Sequence, residues 1–94
     1  MTKYIIISHL TDEGAKTLKK NPDRLKEVNQ ELDAMGIKVL EQFAVHGNFD
    51  FLNIVEAEDI NAITRAVVEL ASRGSIKTET YTAIPIDEFI ESLK

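Results

Sequence analysis

Ninety-four residues with a net charge of −5 and no cysteine make a single domain and bound its chemistry. The missing cysteine excludes a disulfide frame, a thiolate metal site and a cysteine nucleophile. The acidic balance excludes a general nucleic-acid binder, which needs a basic surface to meet phosphate. No apolar run is long enough to span a bilayer, and the opening Lys3-Tyr4-Ile5-Ile6-Ile7 is too short for a signal segment. The expected compartment is the cytoplasm, which the lack of disulfides suits.

Residues 3–9 form an apolar, β-rich run and are read as the first strand. Thr11 is the expected N-cap of the first helix, with Asp12 and Glu13 at its positive end. Ala15 and Leu18 begin an apolar stripe that Asn21-Pro22 interrupts, because Pro22 lacks an N–H and disfavours helix at the residue before it. Leu25, Val28, Leu32 and Met35 resume the helical spacing, so the helix is long and broken near Asn21. Lys16, Lys19, Lys20, Arg24 and Lys26 stand close to Asp23, Glu27 and Glu31, as on a solvated face with ion pairs. Gly36 should end this helix in the left-handed region.

Residues 37–46 read as a second strand, with Ile37, Val39, Phe43 and Val45 alternating. Gly47-Asn48 signals a hairpin, and residues 50–56 form the third strand. Glu58-Asp59 opens a second helix carrying Ile60, Ile63, Val67, Leu70 and Ala71, which Gly74 closes. Residues 75–83 form a fourth strand rich in Ile76, Thr78, Thr80 and Thr82. Pro85 starts a short last helix with Ile86, Phe89, Ile90 and Leu93 on one side.

The order strand–helix–Gly–strand occurs twice. Two such halves interlock as a ferredoxin-like α+β domain, βαββαβ, over residues 1–94, with antiparallel sheet order 4-1-3-2 and both long helices on one face. The stretches Gly47-Asn48-Phe49-Asp50-Phe51, Asn53-Ile54-Val55-Glu56-Ala57, Tyr4-Ile5-Ile6-Ile7-Ser8 and Leu10-Thr11-Asp12-Glu13-Gly14 resemble the GYD domain family. So do Ser72-Arg73-Gly74 and Lys77-Thr78-Glu79-Thr80. The resemblance implies a protomer of the dimeric α/β-barrel type and no particular activity. Phe49 stands where the family's name has tyrosine, so a packing role is retained there and a phenolic one is not.

No glycine-rich phosphate loop, Gly-x-Ser-x-Gly elbow or His-Glu-x-x-His is present, and nothing calls for a cofactor or a metal. His9, His46 and Asp50 gather at one end of the proposed sheet. Strands two apart are separated by roughly 9–10 Å, so these histidines are expected in water and not as joint ligands. The candidate ligand-binding residues are the polar ones within strands: Ser8, Gln42, Asn53, Glu79 and Tyr81. A hairpin loop of two or four residues puts Gln42 and Asn53 on one face; a loop of three pairs Asn53 with Phe43. Such groups either form a structural hydrogen-bond network or orient a small ligand.

Strand 1 and strand 3 are apolar at nearly every position, so both sheet faces need a cover and the helices supply one. The expected partner for the other face is a second copy, with Ser8, Gln42 or Asn53 fixing the register or lining a central cavity. The functional expectation is a homodimeric small-molecule-binding or assembly domain. The competing one is a cofactor-free oxygenase or isomerase acting on a small, partly apolar compound.

Overall fold

The computed structural model describes residues 1–94 throughout. Its elements are β1 (Thr2–Leu10), α1 (Asp12–Lys20), α2 (Arg24–Ala34), β2 (Lys38–Ala44), β3 (Phe51–Ala57), α3 (Ile60–Ser72), β4 (Ile76–Ala83) and α4 (Ile86–Ser92). The four strands form one antiparallel sheet in the order β2-β3-β1-β4, which is the expected ferredoxin-like order seen from the other edge.

The two apolar runs occupy the centre. β1 pairs with β3 (Tyr4 opposite Val55, Ile6 opposite Asn53) and with β4 (Ile6 opposite Thr80, Ser8 opposite Thr78). Tyr4, Ile6, Val55 and Ala57 turn to the helices and meet Leu32, Ile37, Ala62, Ile63 and Ala66 in the core. This burial is the main stabilising term, at about 25 cal/mol per Å² of apolar surface.

The helix boundaries have local causes. The Thr11 side chain accepts a hydrogen bond from the Gly14 N–H at 3.1 Å, as an N-cap should. Asn21, out of the helical region before Pro22 at φ −140° and ψ 83°, ends α1, and α2 begins after Asp23. The expected break is therefore complete, giving two helices. Asp59 caps α3 by accepting from the N–H groups of Asn61 and Ala62. Gly36 and Gly74 have φ of 86° and 76°, as their positions after α2 and α3 require.

β2 departs from the simple alternation. A bulge lies between Val39 and Glu41, so Val39 faces Val55 on the helix side while Phe43 faces Leu52 on the opposite side. The extra residue reverses the parity of the strand. Val39 and Phe43, which the sequence pattern places together, thus end on different faces. Val45 donates to the Asp50 carbonyl at 2.8 Å, which leaves a four-residue loop and sets Gln42 opposite Asn53.

The molecule is 19 Å thick along its shortest axis, which accommodates the sheet and one layer of helices. Ile5, Ile7, Leu52, Ile54, Phe43 and Tyr81 share the uncovered face. No helix is long and apolar enough to cross a membrane.

Gly14 has a role that its place in a helix conceals. A Cβ there would lie 2.1 Å from the Ser75 carbonyl oxygen, a backbone atom that cannot swing aside. Thr11 N–H donates to the same oxygen at 3.0 Å, so this contact seats α1 against the start of β4. Gly14→Ala is expected to cost about 2 kcal/mol or more, seen as a fall in Tm on the order of 10 °C. Gly36→Ala and Gly74→Ala have open space around the new methyl and meet backbone strain alone, about 1 kcal/mol each. Thermal melts of the three variants test this ranking.

Candidate functional site

A cavity of about 120 Å³ lies between the sheet and the helices. Leu18 of α1, Leu25 and Val28 of α2, and Val67 and Leu70 of α3 form its apolar wall, and Ile6, Phe51 and Val55 its floor. The helix stripes and the inward positions of β1 and β3 explain this lining, because each presents aliphatic groups toward the same layer.

Polar groups enter from one side. Asn53 donates to the Ile6 carbonyl oxygen at 3.1 Å and accepts from Gln42 Nε2 at 2.7 Å. Gln42 in turn exchanges hydrogen bonds with Asn29 of α2, at 2.9 and 3.3 Å. This chain of three carboxamides ties β1, β3, β2 and α2 together. Asn53 uses one of its two N–H donors, and the other is free. Ser8 is only 5% exposed, lines the same cavity, and its hydroxyl makes no hydrogen bond within the chain.

At the rim, Glu31 joins α2 to the end of α3. Arg24 Nη1 lies 2.8 Å from its Oε1, and Arg73 contacts its Oε2. Hydrogen bonds first from Arg73 and then from Arg24 hold the Glu31 carboxyl below its ordinary value of 4.5. Glu27 and Glu69 lie further out, at 3.8 Å from Arg24 and 3.9 Å from Arg73.

The five sequence candidates therefore divide. Ser8, Gln42 and Asn53 come together on the helix-covered face, lining the cavity. They do not lie on the open face, where the dimer expectation placed them. Strand parity decides this, since each shares a face with buried residues such as Ile6 and Val55. Glu79 and Tyr81 are on the opposite face, opposite Ile7 and Ile5. There Tyr81 donates to Glu79 at 2.7 Å, and that bond raises the tyrosine's pKa above its usual value of 10. Glu79 also lies 3.4 Å from His9 Nε2. Asp50 accepts the Leu10 N–H at 2.7 Å and so extends the β1–β3 pairing. His9, His46 and Asp50 are not brought together, and no three metal-ligating side chains converge.

Asn29 and the reach of Arg73 to Glu31 escaped the sequence reading, which did set Arg24 beside Glu27 and Glu31. Asn29 follows Val28 directly in α2, and only its place opposite β2 makes it the third member of the amide chain.

A model of the GYD domain matches residues 4–93. The chain belongs to the GYD domain family. A protein from Thermus thermophilus named "Glutamine synthetase and cystathionine beta-lyase binding protein" is 55% identical to it, over the full length of both. The crystal structure of TTHA0845, also from Thermus thermophilus, superimposes with a TM-score of 0.59 at 17% identity, covering 90% of this chain and 95% of that one. The hypothetical protein PHS023 from Pyrococcus horikoshii gives 0.56 at 24% identity, covering 90% and 92%. These two likenesses establish the ferredoxin-like fold alone.

The rim ion pairs have a signed pH dependence. The folded-state pKa of Glu31 is depressed, so its contribution is present above the unfolded value of 4.5 and is lost as pH falls through the folded value. Glu31→Gln should lower stability at pH 7 by about 0.5–1 kcal/mol, the discounted worth of a half-exposed pair. The gap between wild type and variant should narrow as melts are taken progressively below pH 4.5.

Proposed function

We propose that this protein acts by binding and not by catalysing a reaction, as a homodimer that holds a small molecule in the cavity between sheet and helices. The observation that carries the reading is the chemistry of the lining. Its polar members are serine and threonine hydroxyls, the Asn29, Gln42 and Asn53 carboxamides, and two guanidinium groups. None of these exchanges a proton near neutral pH. A cofactor-free oxygenase or isomerase needs a base within reach of its substrate. His9 and Glu79 lie across the sheet, on its other face.

The homodimer is supported by the open face. Ile5, Ile7, Leu52 and Ile54 are only partly covered, and Phe43 and Tyr81 are each 51% exposed. Ile86, Phe89, Ile90 and Leu93 of α4 are exposed as well, and α4 has no buried residue. A second copy laid on this face under two-fold symmetry would cover both features. The absence of cysteine suits a reducing compartment, and the proposal places the protein in the cytoplasm.

The name of the Thermus thermophilus relative extends the reading to a protein partner. Identity of 55% over the whole length supports an assembly role here too, in which the dimer engages an enzyme of the kind that relative binds. Glutamine synthetase and cystathionine β-lyase are the partners to try first.

Sedimentation at about 10 µM should report twice the 10.6 kDa chain mass. Ile7→Glu, which sets a charge at the centre of the open face, should give a folded monomer at the same concentration, because burying an unpaired carboxylate costs several kcal/mol. A wild-type monomer would overturn the dimer. Calorimetric titration against the two purified enzymes should show binding at micromolar affinity or tighter with at least one; no binding to either removes the assembly role.

A further inference from the structure

We infer that the cavity is built for a small neutral ligand: a compact apolar body carrying a single oxygen that accepts hydrogen bonds, as in a phenol, an alcohol or a ketone. This rests on the binding reading above and adds the chemistry of what is bound.

Size sets the first limit. The cavity measures about 120 Å³, and an aliphatic cavity on the order of 150 Å³ takes up benzene. The body is therefore one small ring or a short branched chain. Leu18, Leu25, Val28 and Leu70 surround it with carbon and offer it no polar partner.

The head group is set by Ser8 and Asn53. Ser8 is 5% exposed and its hydroxyl makes no hydrogen bond within the chain, so it is free to donate to a guest in the cavity. Asn53 holds one unused N–H, its other polar atoms being committed to Gln42 and the Ile6 carbonyl. Ile6 is opposite Asn53 and Ser8 opposite Phe51, so Ser8 and Asn53 are diagonal neighbours on one face. Diagonal backbone positions lie roughly 7–8 Å apart, a gap that one oxygen between the two side chains can span. Both groups can donate, so they suit an acceptor.

Charge decides against a carboxylate. Arg24 and Arg73 line the cavity but share Glu31, with Glu27 and Glu69 beside them. Two positive charges stand against three negative ones, and no free cation remains for an anionic head. An unpaired carboxylate among these aliphatic side chains would lose part of its hydration with no cation to replace it.

The test uses three probes with one ring and different heads: benzene, phenol and benzoate. Each is titrated near pH 7 into ¹⁵N-labelled dimeric protein, following the side-chain amide signals of Asn53 and Gln42 and the backbone signal of Ser8. Phenol should bind saturably and about fivefold more tightly than benzene, the worth of one net hydrogen bond. Benzoate should leave the signals unmoved. Ser8→Ala should reduce the advantage of phenol over benzene, with only the Asn53 N–H left to donate, and leave benzene unchanged. The variant loses no hydrogen bond and should fold; Ser8→Cys, similar in size with a weaker donor, gives the same reading if it does not. Equal affinities for benzene and phenol, tight binding of benzoate, or indifference to Ser8→Ala would overturn the ligand class while leaving a binding cavity in place. Failure of all three probes to move the cavity signals would overturn the binding reading itself.

Discussion

A sheet whose central strands are apolar on both faces needs two covers, and this chain supplies one. β1 and β3 carry isoleucine, leucine, valine and phenylalanine at successive positions, so whichever residues turn toward the helices leave others turned away. Tyr4, Ile6 and Val55 are buried under α2 and α3, while Ile5, Ile7, Leu52 and Ile54 are half covered at best. Only 11 of 94 residues are buried, a small core for this length. The exposed apolar side of α4 belongs to the same deficit. A second copy is the simplest way to remove both, since two-fold symmetry matches the face to itself.

The covered side has its own asymmetry, and the bulge in β2 produces it. Between Val39 and Glu41 one extra residue reverses which side chains face the helices. Val39 still packs in the core, and beyond the bulge Gln42 takes the inward position opposite Asn53 that unbroken pairing would give to Glu41. Its carboxamide reaches Asn29 on α2 and completes a chain of side-chain hydrogen bonds ending on the backbone of β1. Polar groups near a core are tolerated when nearly all their bonds are made. Here two are left over, on Ser8 and Asn53, and both line the cavity.

Two contacts near the turn from α3 into β4 hold the helices over this cavity. Gly14 lets α1 approach the Ser75 carbonyl closely, and Thr11 hydrogen-bonds to the same strand entry. At the rim, Glu31 takes both Arg24 and Arg73 and so links α2 to α3. The first contact is one of shape and the second one of charge, and both belong to helices that line the 120 Å³ cavity.

Sequence alone determined the elements and their order. Apolar spacing gave three helical stripes, Pro22 broke the first, Gly36 and Gly74 closed the long ones, and the doubled strand–helix–strand grammar left one simple topology. These are local or nearly local effects: a missing N–H, a positive φ, a period of two or 3.6 residues. Sequence also showed that Ser8, Gln42, Asn53, Glu79 and Tyr81 are unusual in their strands. It did not divide them, because a face is a property of register, and register depends on a loop length and a bulge that involve two strands at once. Nor did it show Asn29 reaching Gln42, Gly14 meeting Ser75, or Arg24 and Arg73 sharing Glu31, since each joins residues distant in the chain or on separate elements. Tertiary structure decided those pairings, and with them it placed Ser8 and Asn53 over a cavity and Glu79 and Tyr81 on the open face.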